Sequence, residues 1–248
     1  MTDIILITGG SRGIGRATAI LAARRGWCVG VNYRDNERAA MQTVADVESL
    51  GGRGVALQAD VSEEPQVTAM FDRAIETFGG LTGVVNNAGI VGPAAPLYDI
   101  SADRLRRMFA INIYGAFLCA REGARRLAKD RGGRGGTIVN VSSAASRLGS
   151  PLEYVDYAAC KGAMDTLTIG LAKELGPQGV RVNAVRPAFI ETDIHASGGR
   201  PDRAAVLGRR TPLGRAGTAE EVAEAIIWLM SDSSSFVTGT FIDISGGV

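Results

Sequence analysis

Short, continuously apolar runs alternate with longer stretches of helical period from one end of the chain to the other. The runs Ile4–Thr8, Val29–Tyr33, Gly54–Leu57, Gly83–Asn86, Thr137–Val141, Val180–Val185 and Thr240–Ile244 predict seven strands. Ile14, Ala17, Leu21 and Ala22 recur at helical spacing after the first of them, up to a stop at Gly26. Met41, Val44, Val47 and Leu50 mark a second helix. Pro65–Phe78, a long helical stretch over Ala102–Lys129, Val155–Leu175 and Ala219–Met230 complete the set. Strands apolar on both faces and joined by helices imply a parallel sheet covered on both sides, with right-handed crossovers. The Gly132–Gly136 run is long enough for a helix-to-strand loop but not for a domain boundary. The pattern therefore predicts one α/β domain over residues 1–248, a doubly wound parallel sheet of about seven strands with helices on both faces.

In such a sheet ligands sit beyond the carboxyl ends of the strands. Directly after the first strand stands Thr8-Gly9-Gly10-Ser11-Arg12-Gly13-Ile14-Gly15. Glycines there let the chain turn tightly and bring backbone N–H groups to a pyrophosphate at the start of the next helix. The G-x-x-x-G-x-G spacing alone is weak, since a chain this rich in glycine produces it by chance roughly 0.5 times. Its position between a strand and a helix gives it weight. At the end of the second strand an acidic residue would bind the ribose hydroxyl of NAD, whereas an arginine accommodates the 2′-phosphate of NADP. This chain reads Val31-Asn32-Tyr33-Arg34 and has no carboxylate before Asp35. With Arg12 as a second cation, the expected cofactor is NADP(H).

Composition narrows the picture. The 248 residues carry 27 Lys+Arg against 26 Asp+Glu, a net charge of +1, which excludes a general nucleic-acid or membrane-surface binder. Cys28, Cys119 and Cys160 fit neither a disulfide framework nor a zinc pattern, and the lone His195 argues against histidine-based metal sites and triads. No metal is expected. No apolar run approaches the ~20 residues of a membrane span, and nothing at the N-terminus resembles a secretory signal. The expected compartment is the cytoplasm.

Further candidates follow later strands: Asn86-Asn87-Ala88-Gly89, Asn112 in the next helical region, Ser142-Ser143, Tyr157-Ala158-Ala159-Cys160-Lys161 and Arg186-Pro187. Tyr157 and Lys161 lie four apart, so a helix projects them from one face. With five tyrosines and three lysines, such a pair arises by chance about 0.06 times. An ammonium ~4 Å from a phenol is worth up to ~4 kcal/mol at an effective dielectric of ~20. That is the size of effect that would bring a phenol of pKa ~10 toward neutrality. Tyr154 is a decoy, because four residues on stands Ala158.

In order and spacing, this set resembles the short-chain dehydrogenase/reductase family over essentially the whole chain. The resemblance implies a Rossmann-like fold and hydride transfer between a nicotinamide and a small carbonyl or alcohol. It implies Tyr157 as proton donor and acceptor, and Lys161 as the group that lowers its pKa and binds the nicotinamide ribose. Ser143 would hydrogen-bond the substrate carbonyl and Asn112 would hold a water in a proton relay. Gly9, Ser11, Arg12, Gly13, Ile14, Gly15 and Arg34 would meet the cofactor's phosphates. Asn87, Ala88 and Gly89 would position the backbone beside it, and Pro187, Ile190 and Thr192 would hold its carboxamide end. Asp60 and Val61 would lie beside the adenine, although a helix-capping role for Asp60 or Ser62 also fits.

Two departures matter. The family's serine precedes the tyrosine by thirteen residues, a place held here by Ala144; Ser143 stands at fourteen and Ser142 at fifteen. Ser143 is the choice, with an extra residue expected within Leu148–Asp156. The family's Pro-Gly is Pro187-Ala188 here.

The segment 188–215 would form the substrate loop. Its glycines suggest a flap, and Arg200, Arg203, Arg209 and Arg210 are expected as solvated charges rather than substrate ligands. Rival readings are a reductase of 3-oxoacyl groups on acyl carrier protein, docking on Arg125, Arg126, Lys129, Arg131 and Arg134, and a non-catalytic NADP-sensing or scaffold protein. The resemblance also implies a homotetramer.

Overall fold

A computed structural model describes residues 3–248, apart from the side chains of His195 and Ser197. Seven strands form one sheet: β1 (Ile4–Ile7), β2 (Cys28–Tyr33), β3 (Arg53–Gln58), β4 (Gly83–Asn86), β5 (Gly136–Val141), β6 (Val180–Pro187) and β7 (Phe241–Ile244). Their order is β3-β2-β1-β4-β5-β6-β7, and every neighbouring pair is parallel. The helices are α1 (Gly13–Arg24), α2 (Glu37–Ser49), α3 (Glu64–Phe78), α4 (Ala102–Phe109), α5 (Ala116–Leu127), α6 (Ala145–Leu148), α7 (Val155–Leu175), α8 (Ile194–Ser197), α9 (Arg203–Gly208) and α10 (Ala219–Met230).

Alternation within the apolar strands explains both helix layers. Ile5 and Ile7, Val29 and Val31, and Val139 and Val141 pack one way, against Ala19 and Ala22 of α1, Val44 of α2 and Ile226 of α10. Leu6, Val84 and Ile138 pack the other way, against Phe71 of α3, Leu118 of α5 and Leu175 of α7. In β1, β2, β4 and β5 almost every residue is buried, so these strands read as unbroken apolar runs, whereas the edge strands β3 and β7 are partly exposed. Thr218 and Glu221 form a reciprocal capping box that starts α10, and Gly79 in the left-handed region ends α3.

The strand order reverses at β1, whose neighbours are β2 and β4. Crossovers leave this point in opposite directions and open a crevice at the carboxyl ends of the strands.

The long helix expected over Ala102–Lys129 is broken. A π-turn over Ala110–Gly115 separates α4 from α5, and a 3₁₀ turn over Lys129–Arg131 follows. At Gly115 the helix runs so close to Val61 that a Cβ would lie 2.8 Å from its side chain and 2.9 Å from its carbonyl. The expected substrate loop contains α8 and α9. Cys28, Cys119 and Cys160 are free and buried. Among the described residues no helix is long and apolar enough to cross a membrane, and no group of three His, Cys, Asp or Glu is placed to hold a metal.

Candidate active site

The glycine turn after β1 is held from two sides. Thr8 Oγ1 accepts the backbone N–H groups of Asn87 and Ala88, both at 2.9 Å. Asn87 Nδ2 donates to the carbonyls of Thr8 and Gly9 at 2.8 and 3.0 Å. From β2, the buried Asn32 accepts the Gly9 N–H at 3.0 Å and donates to the carbonyls of Leu57 and Ala59 at 3.2 and 3.0 Å. Asn32 is a tie that the motif reading missed; its signal was one amide inside an apolar strand. Gly9 and Gly13 take φ of +62° and +51°, which side chains resist. Gly15 is buried beneath the turn, where a Cβ would lie 2.4 Å from the Gly9 carbonyl. Gly15→Ala is therefore expected to destabilise the protein by about 1–3 kcal/mol. A thermal melt matching wild type would contradict this packing.

Arg12 caps α1 in extended conformation without a side-chain hydrogen bond. The first N–H groups of α1 thus meet the cleft with no side-chain acceptor, which suits an anion. The glycine cradle and this helix start fit a dinucleotide pyrophosphate.

One cleft of about 570 Å³ runs from this turn past the ends of β2, β5 and β6. At one end lie Arg34, Asp60 and Val61. Arg34 pairs with Asp35 at 2.5 Å and approaches Asp60 at 4.0 Å. Asp60 neither caps α3 nor stands free. Its Oδ1 accepts from the Ser62 backbone N–H and lies 2.6 Å from the Ser62 hydroxyl, closing a turn before the helix, whose cap residue is Glu63.

At the other end Tyr157 and Lys161 of α7 line the cleft with Ser143 from the end of β5. Lys161 Nζ is buried, donates to the Val141 carbonyl at 2.7 Å and stands 5.5 Å from the centre of the Tyr157 ring. Burial lowers its pKa to about 8. The expected lowering of Tyr157 by this ammonium does not occur in the protein alone. Loss of solvation pushes the phenol up to about 12, against the smaller lowering by its hydrogen bond with Ser143 and by the Arg203 charge. The lysine donates to the Val141 carbonyl, and burial sets the direction of the phenol's shift.

The two serines separate. Ser142 lies 2.6 Å from Asp165 Oδ1 and 3.2 Å from the Lys161 carbonyl, and Asp165 pairs in turn with Arg186 at 2.9 Å. Ser143 faces Tyr157. The loop between Ser143 and Tyr157 holds two non-glycine residues with positive φ, Ser150 (+44°) and Leu152 (+62°).

Asn112 lies in the π-turn with its side chain buried. It accepts from the Ile90 N–H at 2.9 Å and donates to the Ile90 carbonyl at 3.0 Å, so its amide braces the strand-four loop rather than lining the cleft. Gly89 is squeezed beside it, since a Cβ there would lie 2.8 Å from Asn112 Oδ1. Ser11, Ile14, Ala88, Pro187, Ile190 and Thr192 line the cleft. The Thr192 methyl would meet a Cβ at Gly13 at 3.3 Å, so the start of the substrate loop abuts the glycine turn. The Ala188 N–H donates to the Ile244 carbonyl at 3.1 Å, so this residue continues the pairing of β6 with β7.

Arg203 is not the solvated charge expected. Its side chain is 11% exposed, lies against the rings of Tyr154 and Phe189 and pairs with Glu153 at 2.7 Å. Arg200 reaches the same carboxylate at 3.0 Å.

This sheet order, glycine turn and cleft define a nucleotide-dependent α/β protein. A family model described as enoyl-(acyl carrier protein) reductase matches residues 9–248. An uncharacterized oxidoreductase of Escherichia coli strain K12, YgfF, is 54% identical over 98% of this chain and 99% of its own. L-rhamnose 1-dehydrogenase (NAD(P)(+)) of Sphingomonas sp. strain SKA58 is 36% identical, covering 98% of this chain and 95% of the relative. A short chain dehydrogenase from Burkholderia cenocepacia J2315, solved in complex with NADP, superposes with a TM-score of 0.90 at 33% identity, covering 99% of this chain and 97% of that one. The chain belongs to the short-chain dehydrogenase/reductase family and is an oxidoreductase.

Proposed function

We propose that this protein is an NADP(H)-dependent oxidoreductase, one domain over residues 1–248, acting on a small carbonyl or alcohol. The observation that carries the reading is the meeting of Tyr157, Lys161 and Ser143 in the same cleft as the glycine turn. When bound, the nicotinamide supplies or accepts the hydride. Tyr157 Oη gives its proton to the substrate oxygen in reduction and takes it back in oxidation. Ser143 orients that oxygen by donating a hydrogen bond to it. Lys161, fixed by the Val141 carbonyl, supplies positive charge beside the phenol and reaches the nicotinamide ribose. Asn112 braces the loop after β4 and holds the relay water through its backbone, where the π-turn departs from the α-helical ladder. A screen of carbonyl compounds following NADPH absorbance tests the reading; turnover that persists in Tyr157→Phe would overturn it.

Arg12 and Arg34 favour NADP over NAD. A charge-assisted hydrogen bond from Arg34 to a phosphate is worth about 1.5–3 kcal/mol. Arg34→Ala should raise the KM for NADPH roughly 10- to 100-fold and leave that for NADH nearly unchanged. Equal NADPH affinity in both proteins would remove the assignment.

The reading as a 3-oxoacyl carrier reductase is weaker. Two cations of its docking patch, Arg125 and Arg126, are drawn onto the buried Glu122, and Arg126 also pairs with Asp72. Retention of both Tyr157 and Lys161 disfavours a non-catalytic scaffold. Exposed Phe109 of α4, Tyr114 of the π-turn and Phe117 of α5 support a homotetramer, for which light scattering giving a monomer mass would be contrary. The proposed compartment is the cytoplasm.

A further inference from the structure

Arg203 is built into the cleft in a way that neither its exposure nor its ion pairs explain. Of its guanidinium nitrogens only Nη2 has an acceptor, Glu153 Oε2 at 2.7 Å. Nε is buried with no partner, and Nη1 has none among the described residues. The group is held by the rings of Tyr154 and Phe189, at 5.0 and 5.4 Å to their centres. A guanidinium stacked and paired on one side is already ordered, so little freedom is lost when it meets a second acceptor. An unmatched buried donor is costly until an acceptor arrives. Arg200 stands on the same Glu153 carboxylate, and the cleft is also lined by Lys161 and by Asp193, which has a partner of its own. Arg203 is also close enough to Tyr157 for its charge to act on the phenol.

We propose that Arg203 is the specificity-determining residue of the cleft and binds a carboxylate of the substrate. The substrate is then an oxo acid or hydroxy acid whose carboxylate sits away from the carbon that exchanges hydride. This rests on the reading of the cleft as a hydride-transfer site. It also follows that Glu153 and the substrate compete for one guanidinium. A neutral ketone lacks the acceptor and loses affinity, because the site's donor stays unmatched.

Calorimetric titration of the NADP-loaded protein with benzoate and with its neutral counterpart benzamide tests the assignment without requiring turnover. Benzoate should bind at least tenfold more tightly than benzamide in wild type and in Tyr157→Phe. The preference should vanish in Arg203→Met, and benzoate should bind more tightly in Glu153→Gln, which frees the guanidinium. No binding of benzoate, equal affinities in wild type, a preference that survives Arg203→Met, or weaker benzoate binding in Glu153→Gln would overturn the proposal. Failure of the hydride-transfer reading shows separately, as NADPH oxidation that no carbonyl compound, charged or neutral, elicits from wild type, or that is insensitive to Tyr157→Phe.

Discussion

Tyr157→Phe is expected to lower turnover by about 10²- to 10⁴-fold, the usual worth of a positioned proton donor, while the fold and NADP(H) binding persist. The substitution removes one oxygen. The ring stays on α7, and Lys161 keeps its 2.7 Å bond to the Val141 carbonyl, so the cleft keeps its shape. What is lost is the proton at the substrate oxygen. Ser143 cannot replace it, because a hydroxyl that donates a hydrogen bond orients the carbonyl without neutralising the charge formed there. Steady-state rates with NADPH, beside a melting curve and a cofactor titration, separate the loss of chemistry from loss of structure. A rate within a few-fold of wild type would remove Tyr157 from the reaction.

Lys161→Met should be inactive and yet more stable than wild type when free of cofactor. Burial lowers the lysine from 10.5 to about 8, a cost of about 3 kcal/mol wherever the amine must be charged. Methionine removes that cost and leaves the Val141 carbonyl without its donor, which takes back about 1–2 kcal/mol. The net gain is about 1–2 kcal/mol, or roughly 2–8 °C in melting temperature at this size. The sign with pH follows from linkage. Between pH 8 and 10.5 the unfolded chain binds the proton that the folded chain has released, so wild type gains stability as pH rises through this window. The advantage of the methionine variant should be full below pH 8 and give way above 10.5 to a deficit of about 1–2 kcal/mol, because the neutral amine still donates to the Val141 carbonyl. Tyr157 acts the other way at higher pH. Its proton is held to about 12 against an ordinary 10, so its contribution is lost as pH climbs between those values. A Lys161→Met variant less stable than wild type near neutrality would show that the ammonium stabilises the fold.

The sheet was legible because parallel strands buried on both faces have no polar side to blur them. Ile4–Ile7 and Val139–Val141 read as strands for the reason that packs them between two helix layers. The glycine turn was legible because positive φ and close contact exclude other residues at Gly9, Gly13 and Gly15. The π-turn at Ala110–Gly115 was not, since one extra residue in a helical turn barely changes the apolar period. Asn32, the Ser142–Asp165–Arg186 chain and the Glu153–Arg203 pair join residues 21 to 50 apart, through side chains whose partners only the fold selects. A polar residue in an apolar strand signals a partner without naming it. The pKa of Tyr157 lies beyond the sequence for a related reason: charge is counted from residue types, whereas desolvation depends on the cleft that surrounds the phenol.

On the proposed reading Tyr157 carries the proton, and its cleft is complete only with NADP(H) in place. Ultraviolet titration of the tyrosines, with and without saturating NADP⁺, in wild type and Tyr157→Phe, tests it directly. In the free protein one phenol, missing from the variant, should ionise near 12. With the oxidised cofactor bound, the same phenol should ionise at or below the ~10 of an ordinary tyrosine, because ribose contacts to Lys161 and a positive nicotinamide ring favour the phenolate. A Tyr157 titration that NADP⁺ leaves unmoved would contradict the account.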